Sequence, residues 1–258
     1  MVLVEEPFLV GLSLKFVQFC CSGCFNVDLR SPEPLPLVCG ACQSRWCSAA
    51  CRESDPLHGR LCGPLRRLRE SRPRLAALKL SIDEVTFLAS MTAALQVATA
   101  LRALARGKAV REEQTWRLAR EFCQSDVSQE EFDILASIEQ NNAVSLVNLT
   151  PMGGLAVGRA VFAAGSRFNH CCRPNVVRVR RGRATHFVLC RPAATGEELC
   201  ISYVPPRMAD KRAALLHDYG FECGCGQCEC DTEIDVCDEC GAEMLLGKCV
   251  MHNADELV

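Results

Sequence analysis

The sequence predicts an α+β protein in which a cysteine-rich metal module comes first, a helical stretch second and a strand-rich region third. Three observations carry that order. Eight cysteine and histidine residues at metal-ligand spacing fall between Cys21 and Cys62. From Pro64 to about Gln140 the chain is rich in Ala, Leu, Arg and Glu, with Gly107 its one glycine. From about Leu146 to Tyr203 it turns to short β-branched runs broken by Gly and Pro.

At 258 residues the chain is long enough for one to three small domains with a real core, so metal supplements burial here and does not replace it. Glu5 and Glu6 precede any apolar run and no basic leader is present, which argues against a secretory signal. Twenty cysteines without such a signal imply a reducing compartment, cytoplasmic and/or nuclear. A long uncharged stretch, Val85 to Leu101, is interrupted by Thr86, Ser90, Thr92, Gln96 and Thr99 and reads as a buried helix, not a membrane span. A net charge of −2 gives no general pull toward DNA. Arg60, Arg66, Arg67, Arg69, Arg72 and Arg74 form a local basic cluster, expected as a solvated helix face, with a surface for an acidic partner as the alternative.

The opening residues, Met1 to Val10, are strand-like. The metal module follows as Cys21-x2-Cys24, Cys39-x2-Cys42, Cys47-x3-Cys51 and His58-x3-Cys62. Zinc takes four thiolate or imidazole donors, and a C-x2-C pair lets one tight turn offer two of them to one ion, so eight donors read as two tetrahedral sites. Disulfides in a secreted domain are the rival, but a histidine inside the frame fits metal better than bridges. The run resembles the MYND zinc finger, whose ending is matched from Trp46 to Cys62. The resemblance implies interleaved pairs, with Cys21, Cys24, Cys47 and Cys51 on one ion and Cys39, Cys42, His58 and Cys62 on the other. It also implies docking of proline-rich peptide partners.

In the helical stretch, Trp116, Ala119, Phe122 and Cys123 recur at helical spacing, and Ser128 with Glu131 forms a capping box ahead of Phe132, Leu135 and Ile138. These are core stripes. Further on, Val176 to Arg180 and Thr185 to Cys190 flank Gly182 and read as a hairpin, and Asp210 to His217 reads as a short helix.

The segment from Ser166 to Asn175, followed by Gly196 to Tyr203, resembles the two signature motifs of SET-domain protein-lysine methyltransferases. Tyr219 to Cys228 resembles their post-SET zinc segment, and the order matches SET proteins that carry an inserted MYND finger. The resemblance covers most of residues 1–228. It implies a β-rich SET core with domains at 1–20 (a partial N-terminal strand region), 21–62 (finger), 63–140 (helical insertion), 141–203 (SET core), 204–230 (post-SET zinc segment) and 231–258 (a cysteine-containing tail).

It further implies that Asn142, Asn169, His170, Tyr203 and Phe221 bind S-adenosyl-L-methionine, with the two motifs crossing in a knot-like arrangement. Tyr203 and Tyr219 are the implied catalytic residues, and Tyr219 with Phe221 walls the lysine channel. Methyl transfer needs a neutral amine, whereas free lysine has a pKa of about 10.4, so the channel must exclude water. Cys172, Cys223, Cys225 and Cys228 are the implied third structural zinc site, leaving Cys171 and Cys20 as spectator thiols. The tail pattern Cys237-x2-Cys240-x8-Cys249-x2-His252 offers donors for a fourth zinc knuckle, with Cys230 as a substitute.

The sequence departs from the group at its start, where no Gly-rich cofactor loop precedes the strand-like opening. Either the sequence is incomplete at its N-terminus or the protein is a degenerate relative with a crippled cofactor site, and weak or absent activity is expected of the chain as written. The resulting expectation is an S-adenosylmethionine-dependent protein-lysine N-methyltransferase acting on histone or non-histone lysines. The alternative is a partner-recruiting scaffold with a degenerate SET domain. A DNA-binding regulator has just the arginine cluster behind it.

Overall fold

A computed structural model describes residues 1–28, 33–78, 83, 86–87, 90, 104, 113–150, 153–204, 208, 210–225, 236–239, 244–245, 247–250 and 252–253. In chain order the elements are β1 (Leu3–Glu5), β2 (Leu9–Leu12), β3 (Leu37–Val38), β4 (Arg45–Trp46), α1 (Ala49–Glu53), α2 (His58–Glu70), α3 (Arg72–Ala77), α4 (Glu113–Cys123), α5 (Gln129–Asn142), β5 (Val144–Thr150), β6 (Gly153–Val161), β7 (Asn169–His170), β8 (Val176–Arg181), β9 (Ala184–Leu189), β10 (Cys200–Ile201), α6 (Lys211–Tyr219), β11 (Met244–Leu245) and β12 (Lys248–Cys249). They fall into two units. One comprises Met1–Pro7, Leu149–Leu155 and Phe162–Val258, the other Phe8–Asn148 and Ala156–Val161.

In the unit built on Phe8–Asn148, helix α5 carries the core. Ser128 accepts from the backbone N–H of Glu131 while the Glu131 carboxylate accepts from the Ser128 N–H, so the predicted capping box is present. It starts a helix whose Phe132, Leu135, Ala136 and Ile138 are buried with Leu9, Ala119 and Val161. Glu139, also buried on α5, pairs with Arg159 of β6. A second cluster joins Leu68, Leu75, Leu118 and Phe122 from α2, α3 and α4. Two members of the arginine cluster join these helices: half-buried Arg67 donates to the Phe122 carbonyl, and Arg74, still exposed to water, pairs with Glu121 at 2.8 Å. The Trp116 side chain and most of Val85 to Leu101 lie outside the described residues. No helix among the described residues is long and apolar enough to cross a membrane.

Helix α2 begins at His58, six residues before the expected helical stretch, and runs through Pro64. The Asp55 carboxylate accepts from the N–H groups of Leu57 and His58 and so supplies the missing cap. The consequence is local: His58 and Cys62 sit one turn apart on a single helix face.

In the other unit, β1-β9-β8 form an antiparallel sheet. Gly182 turns the β8–β9 hairpin at φ +57°, a left-handed conformation that glycine adopts without strain. Burial alternates along β9, with Thr185 and Phe187 inward. Phe187 stacks on Phe168 and meets Phe162 edge-on. From β1, the Glu5 carboxylate accepts from the backbone N–H groups of Ala163, Ala164 and Gly165 at 2.8–3.2 Å. That anchor fixes the turn leading into Asn169. Helix α6 is capped by the Asp210 side chain and ends at Gly220, φ +74°.

Replacing Ser128 with Ala should lower unfolding stability by about 1 kcal/mol, seen as a lower urea midpoint, and Ser128→Asp should retain most of it.

Candidate active site and metal clusters

The two motif segments meet as a parallel pair. Asn169 and His170 of β7 lie opposite Cys200 and Ile201 of β10, and the Cys171 N–H continues the ladder to the Ile201 carbonyl at 3.0 Å. Two strands of two residues each are too short to hold on their own. Asn175 reinforces them from inside. Buried to 1% exposure, its amide donates to the Glu197 carboxylate and the Glu198 carbonyl and accepts from the Cys200 N–H.

His170 provides the second tie. Its Nδ1 accepts the Tyr203 N–H at 3.0 Å, so that nitrogen carries no proton and the ring is the neutral Nε2–H tautomer. Nε2 in turn faces the Cys172 sulfur at 3.1 Å. Burial, with Lys211 nearby, pulls the His170 pKa down to about 4. Tyr203 is thereby held by its backbone, and its hydroxyl donates to the Phe168 carbonyl at 2.7 Å. Its ring lies 4.9 Å from Tyr219, 5.4 Å from His170 and 6.4 Å from Phe221, centroid to centroid. Burial, reinforced by Tyr219, raises its pKa to about 12, so it stays a neutral phenol at physiological pH. Because the hydroxyl proton points to Phe168, its lone pairs are left to accept.

Tyr219 closes α6, and the left-handed Gly220 turns the chain so that Phe221 follows onto the same aromatic group. Asn169 is exposed, its Nδ2 donating to Glu198 at 2.6 Å. Asn142 belongs to the other unit; it is buried at the end of α5 with Nδ2 donating to the Ile138 carbonyl.

The finger cysteines form two clusters that each could hold one metal ion. Cys21, Cys24, Cys47 and Cys51 have their sulfurs within 4.8 Å of one another, and so do the ligand atoms of Cys39, Cys42, His58 and Cys62. Both C-x2-C pairs are built alike. The residue after the second cysteine, Phe25 or Gln43, has φ of 62°, and its N–H bonds back to the first cysteine's carbonyl at 2.8 or 2.9 Å. Ser48 caps α1 by accepting the Cys51 N–H. Asp55 also accepts from the Trp46 indole at 3.0 Å, and Trp46 packs edge-on against His58 at 4.8 Å. Thiol acidity is split within each cluster. The Cys24 thiol pulls Cys21 down to about 5, while burial and the neighbouring Cys39 push Cys62 up to about 12.

The third cluster departs from the expected set. Cys172 and Cys223 meet at 3.8 Å, but the third member is His170, not Cys225. Cys225 lies beside Cys171, whose thiol donates to the Arg173 carbonyl at 3.3 Å. Cys228, Cys230 and Cys240 lie outside the described residues. In the tail, Cys237, Cys249 and His252 form a fourth cluster. Asn175, Glu5, Glu198 and Asp55 were not singled out by the sequence reading; Asn175 closes a quoted motif, the one signal that could have found it.

A SET domain family profile matches residues 72–204, just over half of the chain. The chain belongs to the SET domain family. Relatives include a SET and MYND domain-containing protein of Dictyostelium discoideum, 36% identical over 32% of this chain and 22% of its own length. Histone-lysine N-methyltransferase ATXR2 of Arabidopsis thaliana is 40% identical over 28% of this chain and 16% of its own. Potential protein lysine methyltransferase SET6 of Saccharomyces cerevisiae is 32% identical over 30% and 21%. The alignments thus span less than a quarter of each of these relatives.

Replacing Asn175 with Ala leaves the Cys200 N–H buried without a partner and should cost about 2–4 kcal/mol in the unfolding of this unit. Hydrogen exchange should show early opening at Cys200 and Ile201.

Proposed function

We propose that the chain is a protein-lysine N-methyltransferase that takes its methyl group from S-adenosylmethionine and acts on histone or non-histone lysines. The observation that carries the reading is the fixed orientation of Tyr203: its hydroxyl proton is given to Phe168, so its oxygen can accept an N–H from an incoming amine. The rings of Tyr219, Phe221 and His170 packed around it would give an incoming amine a low-dielectric wall that disfavours the ammonium form. A phenol raised to about 12 does not act as the base at neutral pH, so Tyr203 orients a neutral amine and does not deprotonate it.

The residues also fit the cofactor. A neutral His170 would put no positive charge beside a sulfonium, and Asn169, exposed with its amide nitrogen held by Glu198, would offer its amide oxygen to the donor's ammonium group. When bound, the cofactor supplies an electrophilic methyl group on a sulfur that leaves as a neutral thioether. Asn142 is a further cofactor contact in this reading.

Zinc in the two finger clusters and in the Cys172 cluster belongs to the same proposal. Donors about 2.3 Å (sulfur) or 2.0 Å (nitrogen) from a tetrahedral ion stand about 3.5–3.8 Å apart. Cys47–Cys51 at 3.6 Å, Cys39–Cys62 at 3.7 Å, Cys42–His58 at 3.5 Å and Cys172–Cys223 at 3.8 Å fit those edges. The buried guanidinium of Arg69 fits as well. Its Nε and Nη2 have no hydrogen-bond partner among the described residues, and burial pulls its pKa down against the opposing pull of the Cys42 and Cys39 sulfurs; a net-negative zinc–thiolate group would strengthen that pull. Cys225 and Cys228 remain proposed donors at the third site, and the finger is the proposed docking surface for proline-rich partner segments. A cytoplasmic or nuclear location is part of the same reading.

Tyr203→Phe should lower kcat for methyl transfer to a lysine peptide by about 100-fold, with cofactor affinity within about twofold of the parent. Asn169→Ala should weaken cofactor binding by about tenfold or more. Calorimetry and radiolabelled methyl transfer read the two effects separately. Equal losses in both parameters would make Tyr203 structural, and cofactor binding with no transfer to any lysine would favour the scaffold. Asp55→Ala should loosen zinc in the second finger cluster by about 10- to 100-fold, measured by competition with a chelator.

A further inference from the structure

The catalytic reading leaves one donor cluster unused. In the tail, β11 and β12 pair as a hairpin, Met244 opposite Cys249 and Leu245 opposite Lys248, with Gly247 turning it at φ +73°. Just past it, the Asn253 N–H bonds back to the Cys249 carbonyl at 3.0 Å, which folds His252 over the hairpin's end. Cys237 comes from the preceding segment, and its sulfur lies 3.4 Å from His252 Nδ1. The ligand atoms of Cys237, Cys249 and His252 all fall within 4.8 Å of one another.

We propose that Cys237, Cys249 and His252 bind a further structural zinc ion that holds the tail as a small metal-tied module. Two arguments support zinc over a chance meeting of thiols. The 3.4 Å separation of sulfur and ring nitrogen is close to the edge of about 3.5 Å that a shared tetrahedral ion sets. The other ring nitrogen also has its partner: His252 Nε2 faces the Glu239 carboxylate at 3.3 Å. With its Nε2–H given to Glu239, the ring turns the Nδ1 lone pair toward the sulfurs, the carboxylate–histidine arrangement that orients a metal-binding imidazole. Two soft thiolates and one imidazole favour zinc over magnesium or calcium, which take oxygen. Cys240 follows Cys237 at C-x2-C spacing. It lies outside the described residues, and the site is argued without it. The half-exposed His252 makes this ion more open to competing chelators than an ion at the buried Cys21 or Cys42.

The test uses the full chain, reconstituted with zinc under reducing conditions, dialysed and measured for metal content. Cys249→Ser and His252→Gln should each lower the zinc content by one equivalent relative to the parent, and the double variant should also lose just one. Cys190→Ser, whose thiol donates to the Pro174 carbonyl and belongs to none of the donor clusters among the described residues, should lose none. Cobalt loading should show a thiolate charge-transfer band that weakens in Cys249→Ser. Glu239→Gln keeps every donor and does not act through loss of the hairpin; it should weaken one equivalent by about tenfold in chelator competition. Unchanged zinc content in both single variants, or unchanged chelator competition in Glu239→Gln, would overturn the proposal, as would a Cys237–Cys249 disulfide that persists in the reduced, zinc-supplied protein.

Discussion

The parallel pairing of β7 with β10 is the constraint on which the rest of the site depends. Strands of two residues have almost no stability of their own, so the crossing exists because buried side chains tie it. Asn175 bonds to Glu197, Glu198 and Cys200 on the second strand's approach. His170, from the first strand, accepts the Tyr203 N–H just beyond the second. Tyr203 therefore occupies a position set by both motifs at once, and its hydroxyl is aimed by a third segment through Phe168. Loosening any one tie would let the ring move relative to Asn169, and small displacements at a reacting centre cost large factors in rate.

The cysteine clusters use the opposite strategy. Each is assembled from short local devices: a turn with one residue at positive φ, a serine-capped helix start, and a helix that sets His58 and Cys62 one turn apart. A non-glycine residue such as Phe25 or Gln43 in the left-handed region stores a modest strain. Without an ion, neighbouring thiolates repel, and the hydrogen bond shared by Cys21 and Cys24 lowers the pKa of the first while raising that of the second. A divalent cation relieves both penalties together, so metal binding and the fold of this region are expected to be one equilibrium.

What the sequence made legible was local. The Ser128–Glu131 box, the Gly182 hairpin and the short helix near Asp210–His217 depend on residues a few positions apart, and the structure has all three, the helix running Lys211–Tyr219 with Asp210 as its cap. The start of α2 was misplaced because its cap is Asp55, ahead of a proline that ordinarily argues against a helix. Glu5 reaches Gly165 across 160 positions and Asn175 reaches Glu198 across 23, and nothing in a linear pattern marks a carboxylate or amide as an internal staple. His170 was assigned to the cofactor alone. Its two ring nitrogens tie the tyrosine to the Cys172 cluster, a role that depends on where β10 returns. The arginine cluster reads as a solvated face, and Arg60, Arg66, Arg72 and Arg74 are exposed; the Phe122 carbonyl and Glu121, which Arg67 and Arg74 meet, come from a helix some fifty residues later and leave no mark in the local pattern.

The most direct measurement is a crystal structure of the zinc-loaded chain with S-adenosylhomocysteine and a lysine-containing peptide. The account predicts the lysine Nζ within hydrogen-bond distance of Tyr203 Oη, between the rings of Tyr219 and Phe221, with Tyr203 Oη still donating to Phe168 and Asn169 against the cofactor's amino-acid end. A lysine bound elsewhere, or a Tyr203 hydroxyl that has left Phe168 and faces away from the amine, would contradict it.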